Sequence, residues 1–286
     1  MALLRYWHTL RHLKGSQLAA RATRRFKRLD LTPPIEQCLR ASLAPIGIDP
    51  WRQCALDRSD NFTFLNEIRC LLDDADWNKP SVPKLWLYNL HYFDWINALH
   101  AHADTATFVD TATRWITRWI AENPAPYGNG WEPYPLSLRI VNWIKWLVRQ
   151  TSIDPVAATA ICRSLELQSH VLSQRFETDL LGNHLFENAK ALIFAGCFFD
   201  GGQARTWFDH GARVLSRELG EQILPDGGYF ELSPMYHSII LEDVLDVLSL
   251  QQAYPGRSWA EHELGRPRLR QIAESMLGWL NDMLMS

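Results

Sequence analysis

From Phe62 to Met285 the chain is a succession of segments in which apolar residues recur at helical spacing, separated by short links rich in Pro and Gly. The candidate helices are Phe62 to Asp73, Tyr92 to His102, Thr107 to Glu122, Pro135 to Thr151, Pro155 to Thr178, His184 to Phe199, Ala204 to Gln222, Tyr236 to Ala253 and Pro267 to Met285. Links such as Asp200-Gly201-Gly202 and Tyr254-Pro255-Gly256 are short enough that neighbouring helices must pair as antiparallel hairpins. A chain of hairpins either winds as a solenoid or closes into a toroid. Ala189 to Phe199 is apolar almost all round, as an inner ring covered by an outer ring requires. The expected fold is therefore all-α, an incomplete (α/α) toroid built of helical hairpins, over residues 61–286. Residues 1–60, with Thr32-Pro33-Pro34 and Ile48-Asp49-Pro50-Trp51, read as a basic, irregular lead-in.

A chain of 286 residues can bury a sizeable core, and its 13 tryptophans call for helices that bury large aromatics. A formal net charge of -3 gives no general drive toward nucleic acid. The start is a local exception: Arg5, Arg11, Lys14, Arg21, Arg24, Arg25, Lys27 and Arg28 are opposed only by Asp30. A solvated amphipathic helix explains that bias better than an arm laid on an anionic surface. The five cysteines are scattered and form no C-x-x-C pattern, so reduced, mostly buried thiols are expected, with no metal site and no cofactor. No run approaches the roughly twenty apolar residues of a membrane span, and no uninterrupted apolar leader with a cleavage site opens the chain. A cytoplasmic location is the default expectation.

Two stretches place proton-handling side chains at the mouths of apolar helices. The first is Gly182-Asn183-His184-Leu185-Phe186-Glu187-Asn188, and the second runs from Asp226-Gly227-Gly228 through Glu231 to Ser233-Pro234-Met235-Tyr236-His237. Taken alone, Asn183 reads as a helix N-cap and His184 as a hydrogen-bonded core histidine. A second Tyr-His pair, behind glycines that permit close backbone approach to a ligand, raises the functional reading. A phenol such as Tyr236 can serve as base and acid in turn; the plain alternative is a core aromatic with its hydroxyl tied to a carbonyl. The segment Trp131 to Trp143 adds aromatic faces, Glu132, Tyr134, Arg139 and Asn142, and the run Leu85 to Trp95 adds Asn89 and His91 to a second cavity wall. Aromatic faces stack on sugar rings and a guanidinium forks onto carboxylate or sulfate, although a salt bridge and a hydrogen bond within the helix layer explain Arg139 and Asn142 equally well.

The stretches 182–188, Ile223-Leu224-Pro225-Asp226-Gly227-Gly228 and 233–237, with Leu87 to Phe93 and Tyr134 to Arg139, together resemble the helical domain of the heparinase II/III family of polysaccharide lyases, from about Trp86 onward. The resemblance implies an incomplete toroid in front of a β-sandwich domain and β-elimination on a uronic-acid polysaccharide in the cleft between them. A proton beside a carboxylate is weakly acidic until the carboxylate is neutralised; a base then removes it while an acid protonates the departing oxygen. Carried over, Asn183 neutralises the uronate with His184 beside it, and Tyr236 is the base or acid. His237, Arg139, Trp131, Glu132, Tyr134, Asn89, His91, Glu187 and Glu231 are the expected substrate-binding residues.

The sequence ends at Ser286, where the family pattern continues into the β-domain, so the expectation is a helical domain that is weak or inactive alone. An acidic polysaccharide is the expected ligand, and a separate β-domain or a second copy of the chain the expected protein partner; the family alternative for location is periplasmic. A different class, a non-catalytic acidic-glycan-binding or polysaccharide-assembly module, uses the same aromatic cleft without cutting. A toroid hydrolase acting through carboxylates such as Glu132 and Glu231 ranks last, because the strongest motifs centre on Asn, His and Tyr.

Overall fold

The computed structural model describes residues 28–32, 39–47, 54–99, 105–178 and 182–285. The basic cluster before Arg28 lies outside the described residues, as do Pro33, Pro34 and Ile48 to Trp51 of the lead-in. The residues described before 61 form no regular helix or strand, only turns, bends and two isolated bridges, Leu39 to Phe199 and Leu56 to Phe62.

The first regular element corrects the sequence expectation. Phe62 to Asp73 is not a helix: β1 (Asn61–Phe64) and β2 (Glu67–Cys70) form an antiparallel hairpin. Leu65 and Asn66 both sit at positive φ, 53° and 62°, the geometry of a two-residue primed turn. Phe62 and Phe64 alternate inward, and Phe62 meets Trp95 and Trp115 edge-on, so the strand acts as a lid on the aromatic core.

Helices follow: α1 (Lys84–Tyr92), α2 (Trp95–Leu99), α3 (Thr105–Glu122), α4 (Pro133–Leu147), α5 (Pro155–Ser173), α6 (Gly182–Phe198), α7 (Gly202–Gln222), α8 (Pro234–Ala253) and α9 (Arg266–Met285). Their starts follow capping chemistry. Asp154 accepts the Ala157 amide, Ser233 accepts the Tyr236 amide, and proline occupies the first turn of α4, α5 and α8.

Packing sorts the helices into two layers. α1, α4, α6 and α8 touch in succession as an inner ring, while α3, α5, α7 and α9 back them from outside. The apolar α6 is the centre of this arrangement, buried from Leu185 to Phe198 and packed against α4, α5, α7 and α8. The fold is the all-α incomplete toroid of helical hairpins. Against α7 the backbones nearly meet: a Cβ on Gly196 would lie 2.6 Å from the Phe208 nitrogen, and one on Gly211 would lie 2.6 Å from the Ala189 carbonyl oxygen. Only glycine fits at either crossing. Four of the cysteines are free thiols, with Cys197 buried, Cys54 and Cys162 partly so, and Cys70 exposed. No described helix is long and apolar enough to cross a membrane.

Candidate functional site

The inner ring encloses a cleft of about 160 Å³ lined by α1, α4, α6 and α8. Its walls carry Asn89, Tyr92, Tyr134 and Asn142, and its floor carries Lys145, Glu187, Lys190, Asp243 and Asp246. An aromatic row runs into it. Tyr88 and Tyr92 lie 6.4 Å apart between ring centroids, Tyr92 meets Tyr134 edge-on at 6.0 Å, and Tyr134 lies 4.4 Å from the His184 ring. Burial raises the Tyr134 and Tyr92 phenols far above their ordinary range, with neighbouring charges such as Glu187 adding to the effect. Both therefore stay protonated and offer faces and donors rather than bases.

His184 is held from the far side. Its Nδ1 lies 3.1 Å from Oε2 of Glu177, a buried carboxylate in the segment after α5. Glu177 is fixed in turn, because its backbone N–H donates to Oδ1 of Asn188 at 2.9 Å and the Asn188 amide donates to Ser137 at 3.0 Å. Neither Glu177 nor Asn188 was picked out by the motif reading. The asparagine is the last letter of the 182–188 stretch, but its partner is eleven residues away across a loop.

Asn183 is not the N-cap of α6, because the helix already begins at Gly182 and Asn183 falls inside the first turn. Its side-chain amide, half-buried, has no hydrogen-bond partner among the described residues. Tyr236 lies in the first turn of α8, packs its ring on the core, and likewise has no partner for its hydroxyl among the described residues. The two helix starts are tied together. Gln222 donates to the Gly182 carbonyl at 3.1 Å and accepts the Tyr229 hydroxyl at 3.0 Å, and Glu231 lies 3.2 Å from where a Gly182 Cβ would stand.

Several expected ligand contacts have their polar atoms engaged by the protein itself. His237 is buried, accepting the Tyr229 amide on Nδ1 at 3.2 Å and donating from Nε2 to the Met276 carbonyl at 3.0 Å. His91 accepts the Trp119 indole on Nδ1 at 2.9 Å and donates from Nε2 to the Trp77 carbonyl at 3.0 Å, and burial drives it down to about 3. Trp131 is a core ring whose indole donates to Asn123. Arg139 is fully buried, donating from Nε to Gln168 at 2.9 Å and stacking over Trp119 at 3.8 Å. The glycines before Tyr236 also serve the fold: Cβ atoms on Gly227 and Gly228 would strike Ser275 and Trp279 of α9, so close approach is to a helix, not to a ligand.

The remaining expected contacts are mixed. Tyr134 and Asn89 line the cleft, although the Asn89 amide donates to the Leu85 carbonyl. Glu132 is partly exposed and engaged by Lys84 and by the Tyr88 hydroxyl. Glu231 is exposed beside Gly182. Glu187 sits on the cleft floor, 3.0 Å from the Lys190 ammonium. Lys190 also pairs with Asp243, and Lys145 reaches Asp246 at 2.5 Å. Burial alone would strip the proton from Lys190, but Asp243, Glu187 and Asp246 outweigh it and hold the ammonium charged. Burial and the nearby Glu187 carboxylate push Asp243 well above the usual carboxylate range. Among the described residues no group of three or more His, Cys, Asp or Glu side chains is arranged to hold a metal ion.

The architecture is a two-layered helical toroid with an aromatic cleft, and Asn183, His184 and Tyr236 stand in the first turns of two of its inner helices. Residues 55–259 match the heparinase II/III N-terminus family, and the chain belongs to it. It is 36% identical over 78 residues to a heparin-sulfate lyase of Bacteroides stercoris, covering 27% of this chain and 12% of that one. It is 27% identical over 168 residues to the corresponding lyase of Bacteroides thetaiotaomicron, covering 56% and 24%. Among solved structures, a mutant heparan sulfate lyase from Pedobacter heparinus superposes with a TM-score of 0.59 at 20% identity, over 92% of this chain and 42% of that one. A heparinase III crystal structure gives 0.54 at 19%, over 98% and 44%. The chain thus spans a quarter or less of these curated relatives and under half of these structures.

Proposed function

We propose that this chain forms the helical half of a lyase that cleaves an acidic, uronate-containing polysaccharide by β-elimination. The observation that carries the reading is which polar groups the fold leaves unoccupied. His237, His91, Trp131 and Arg139 are committed to the core, whereas the Asn183 amide, Nε2 of His184 and the Tyr236 hydroxyl have no partner among the described residues. In this reading Asn183 donates to the uronate carboxylate and draws charge from it, His184 stands beside it, and Tyr236 moves the proton. Tyr92 and Tyr134 offer ring faces to the sugar.

Proton transfer depends on holding the ring in place and keeping water out, and a one-sided cleft does neither well. Product formation by the 286-residue chain alone is therefore expected to be weak, with binding outlasting it. The aromatic row also supports a second reading, a module that holds acidic glycan without cutting it. Incubation with heparan-type, alginate-type and glucuronan-type polymers, followed by the ultraviolet absorbance of the unsaturated uronate, separates the two. Slow turnover abolished by Tyr236→Phe and by Asn183→Ala supports the lyase. Turnover indifferent to Tyr236→Phe removes that residue as proton carrier, and binding with no product at any enzyme concentration favours the module.

A further inference from the structure

We propose that Glu177 is the positioning residue of this cleft: it fixes His184 in the tautomer that carries its proton on Nδ1 and leaves Nε2 as the free, proton-accepting nitrogen. The inference deepens the lyase reading and rests on it for its consequence in catalysis; the tautomer itself does not depend on that reading.

The argument begins with donors and acceptors. A carboxylate only accepts, so at 3.1 Å the neutral imidazole must place its hydrogen on Nδ1 to meet Glu177. Nδ1 has no other partner, and Nε2 has none among the described residues. The carboxylate cannot swing away to water, because its side chain is only 6% exposed while that of His184 is 34% exposed. Its backbone is clamped by Asn188 Oδ1, and the Asn188 amide, 3.5 Å from Glu177 Oε2, is itself tied to Ser137. On its other side the imidazole lies against Tyr134, with 33° between the ring planes, which sets the ring's tilt. Three elements thus converge on one side chain: the segment after α5 through Glu177, α4 through Tyr134 and Ser137, and α6 through Asn188. The outward end of the ring, Nε2, is left without a partner among the described residues, beside the Tyr134 ring that lines the cleft.

Two consequences follow. Before reaction, Nε2 presents a lone pair and can accept a proton or a hydroxyl hydrogen. On accepting a proton there, the ring keeps its Nδ1–H on the carboxylate behind it, so its orientation does not change, which is the positioning work a carboxylate does behind a catalytic histidine. Glu177 itself touches no substrate.

The test uses the whole chain labelled with ¹⁵N-histidine, with the His184 signals assigned by their loss in His184→Gln. In the parent, the neutral ring should be protonated on Nδ1 in excess of about tenfold, as one charge-assisted hydrogen bond requires. Glu177→Gln keeps an acceptor oxygen in place and should keep that tautomer. Glu177→Ala should pass to the Nε2–H form that free imidazole side chains prefer, with the fold checked by circular dichroism. A parent ring protonated on Nε2, or a folded Glu177→Ala that keeps the Nδ1 proton, overturns the proposal. Should Glu177→Ala fail to fold, the parent spectrum still decides, since only Nδ1 protonation is compatible with the proposed role. In the polymer assay, product formation by Glu177→Ala should fall about tenfold or more. If the parent yields no product, as the helical half alone allows, the tautomer result by itself decides the proposal.

Discussion

The Arg139 guanidinium lies 3.8 Å over the face of Trp119, with Trp131 and Trp143 at 6.0 and 5.9 Å, and among the described residues no carboxylate is paired with it. Among the described residues this buried cation is held by ring quadrupoles, by Gln168 and by the His91 carbonyl, and its Nη2 has no hydrogen-bond partner there. Burial pulls it well below its ordinary range. Lysine has neither the planar fork nor the flat face for this box, so Arg139→Lys should destabilise the domain by about 2–4 kcal/mol in urea unfolding. Polymer affinity per folded molecule should be unchanged. An affinity loss at unaltered stability would restore Arg139 as a ligand contact.

Acid should weaken the fold through its buried histidines. His91 is driven by burial from 6.5 to about 3, and burial lowers His237 as well. Both are neutral in the folded chain and take up a proton on unfolding, so the unfolded state binds more protons below about pH 6.5. For His91 the stabilising contribution is complete above pH 6.5 and is lost as pH falls from there toward 3, and His237 acts in the same direction. His91 adds up to about 1.4 kcal/mol of lost stability per pH unit in that window. His91→Gln should lower stability at pH 7 and flatten the slope between pH 6 and 4 by one proton, measured by urea unfolding at fixed pH steps. An unchanged slope would mean that His91 is not held neutral.

The Lys190 ammonium pairs with both Glu187 and Asp243, and so bonds α6 to α8 across the cleft floor. Removing one partner of a buried ion pair strands the other, so Lys190→Met should cost roughly 3–5 kcal/mol. Adding Asp243→Leu removes a stranded carboxyl and should recover part of that loss. A double-mutant cycle by chemical denaturation reads the coupling, and strict additivity would show that the pair is not what joins the helices.

How far the sequence could be read depends on whether the deciding contact is local. Helix positions from Thr105 on were legible because the apolar stripe of each helix recurs within its own residues, as in Gly202–Gln222, whereas Lys84–Tyr92 was missed and the expected helix from Tyr92 is interrupted at left-handed Phe93. The β1–β2 hairpin was misread because Phe62 and Phe64 mean strand only once β2 pairs with them. The motif letters near residues 183 and 236 were visible, but which of them face inward was not. His237 and Gly227 serve α9, some forty residues on, and Arg139 serves Trp119. Glu177 and Lys190 carried a weaker signal, a lone charge beside or within an apolar helix. Their partners Asn188 and Asp243 meet them only in three dimensions.

Two glycines on α7 should respond in opposite directions to the same substitution. A helix interior gains about 1 kcal/mol when glycine becomes alanine, through backbone entropy. At Gly220 the new methyl meets nothing within 4 Å, so Gly220→Ala should stabilise by about 0.5–1 kcal/mol. At Gly211 the same methyl would stand 2.6 Å from the Ala189 carbonyl oxygen and 3.1 Å from the Ile193 nitrogen, both backbone atoms of α6 that cannot turn aside. Separating the two helices by even part of an ångström loosens contacts along the most buried element of the toroid, and overpacking of this kind costs about 1–3 kcal/mol or more. The clash outweighs the propensity gain, so Gly211→Ala should lower the midpoint of urea unfolding while Gly220→Ala raises it. If Gly211→Ala proved as stabilising as Gly220→Ala, α6 and α7 would have to lie farther apart than described, and the close-packed inner layer that positions Asn183, His184 and Glu177 would need to be redrawn.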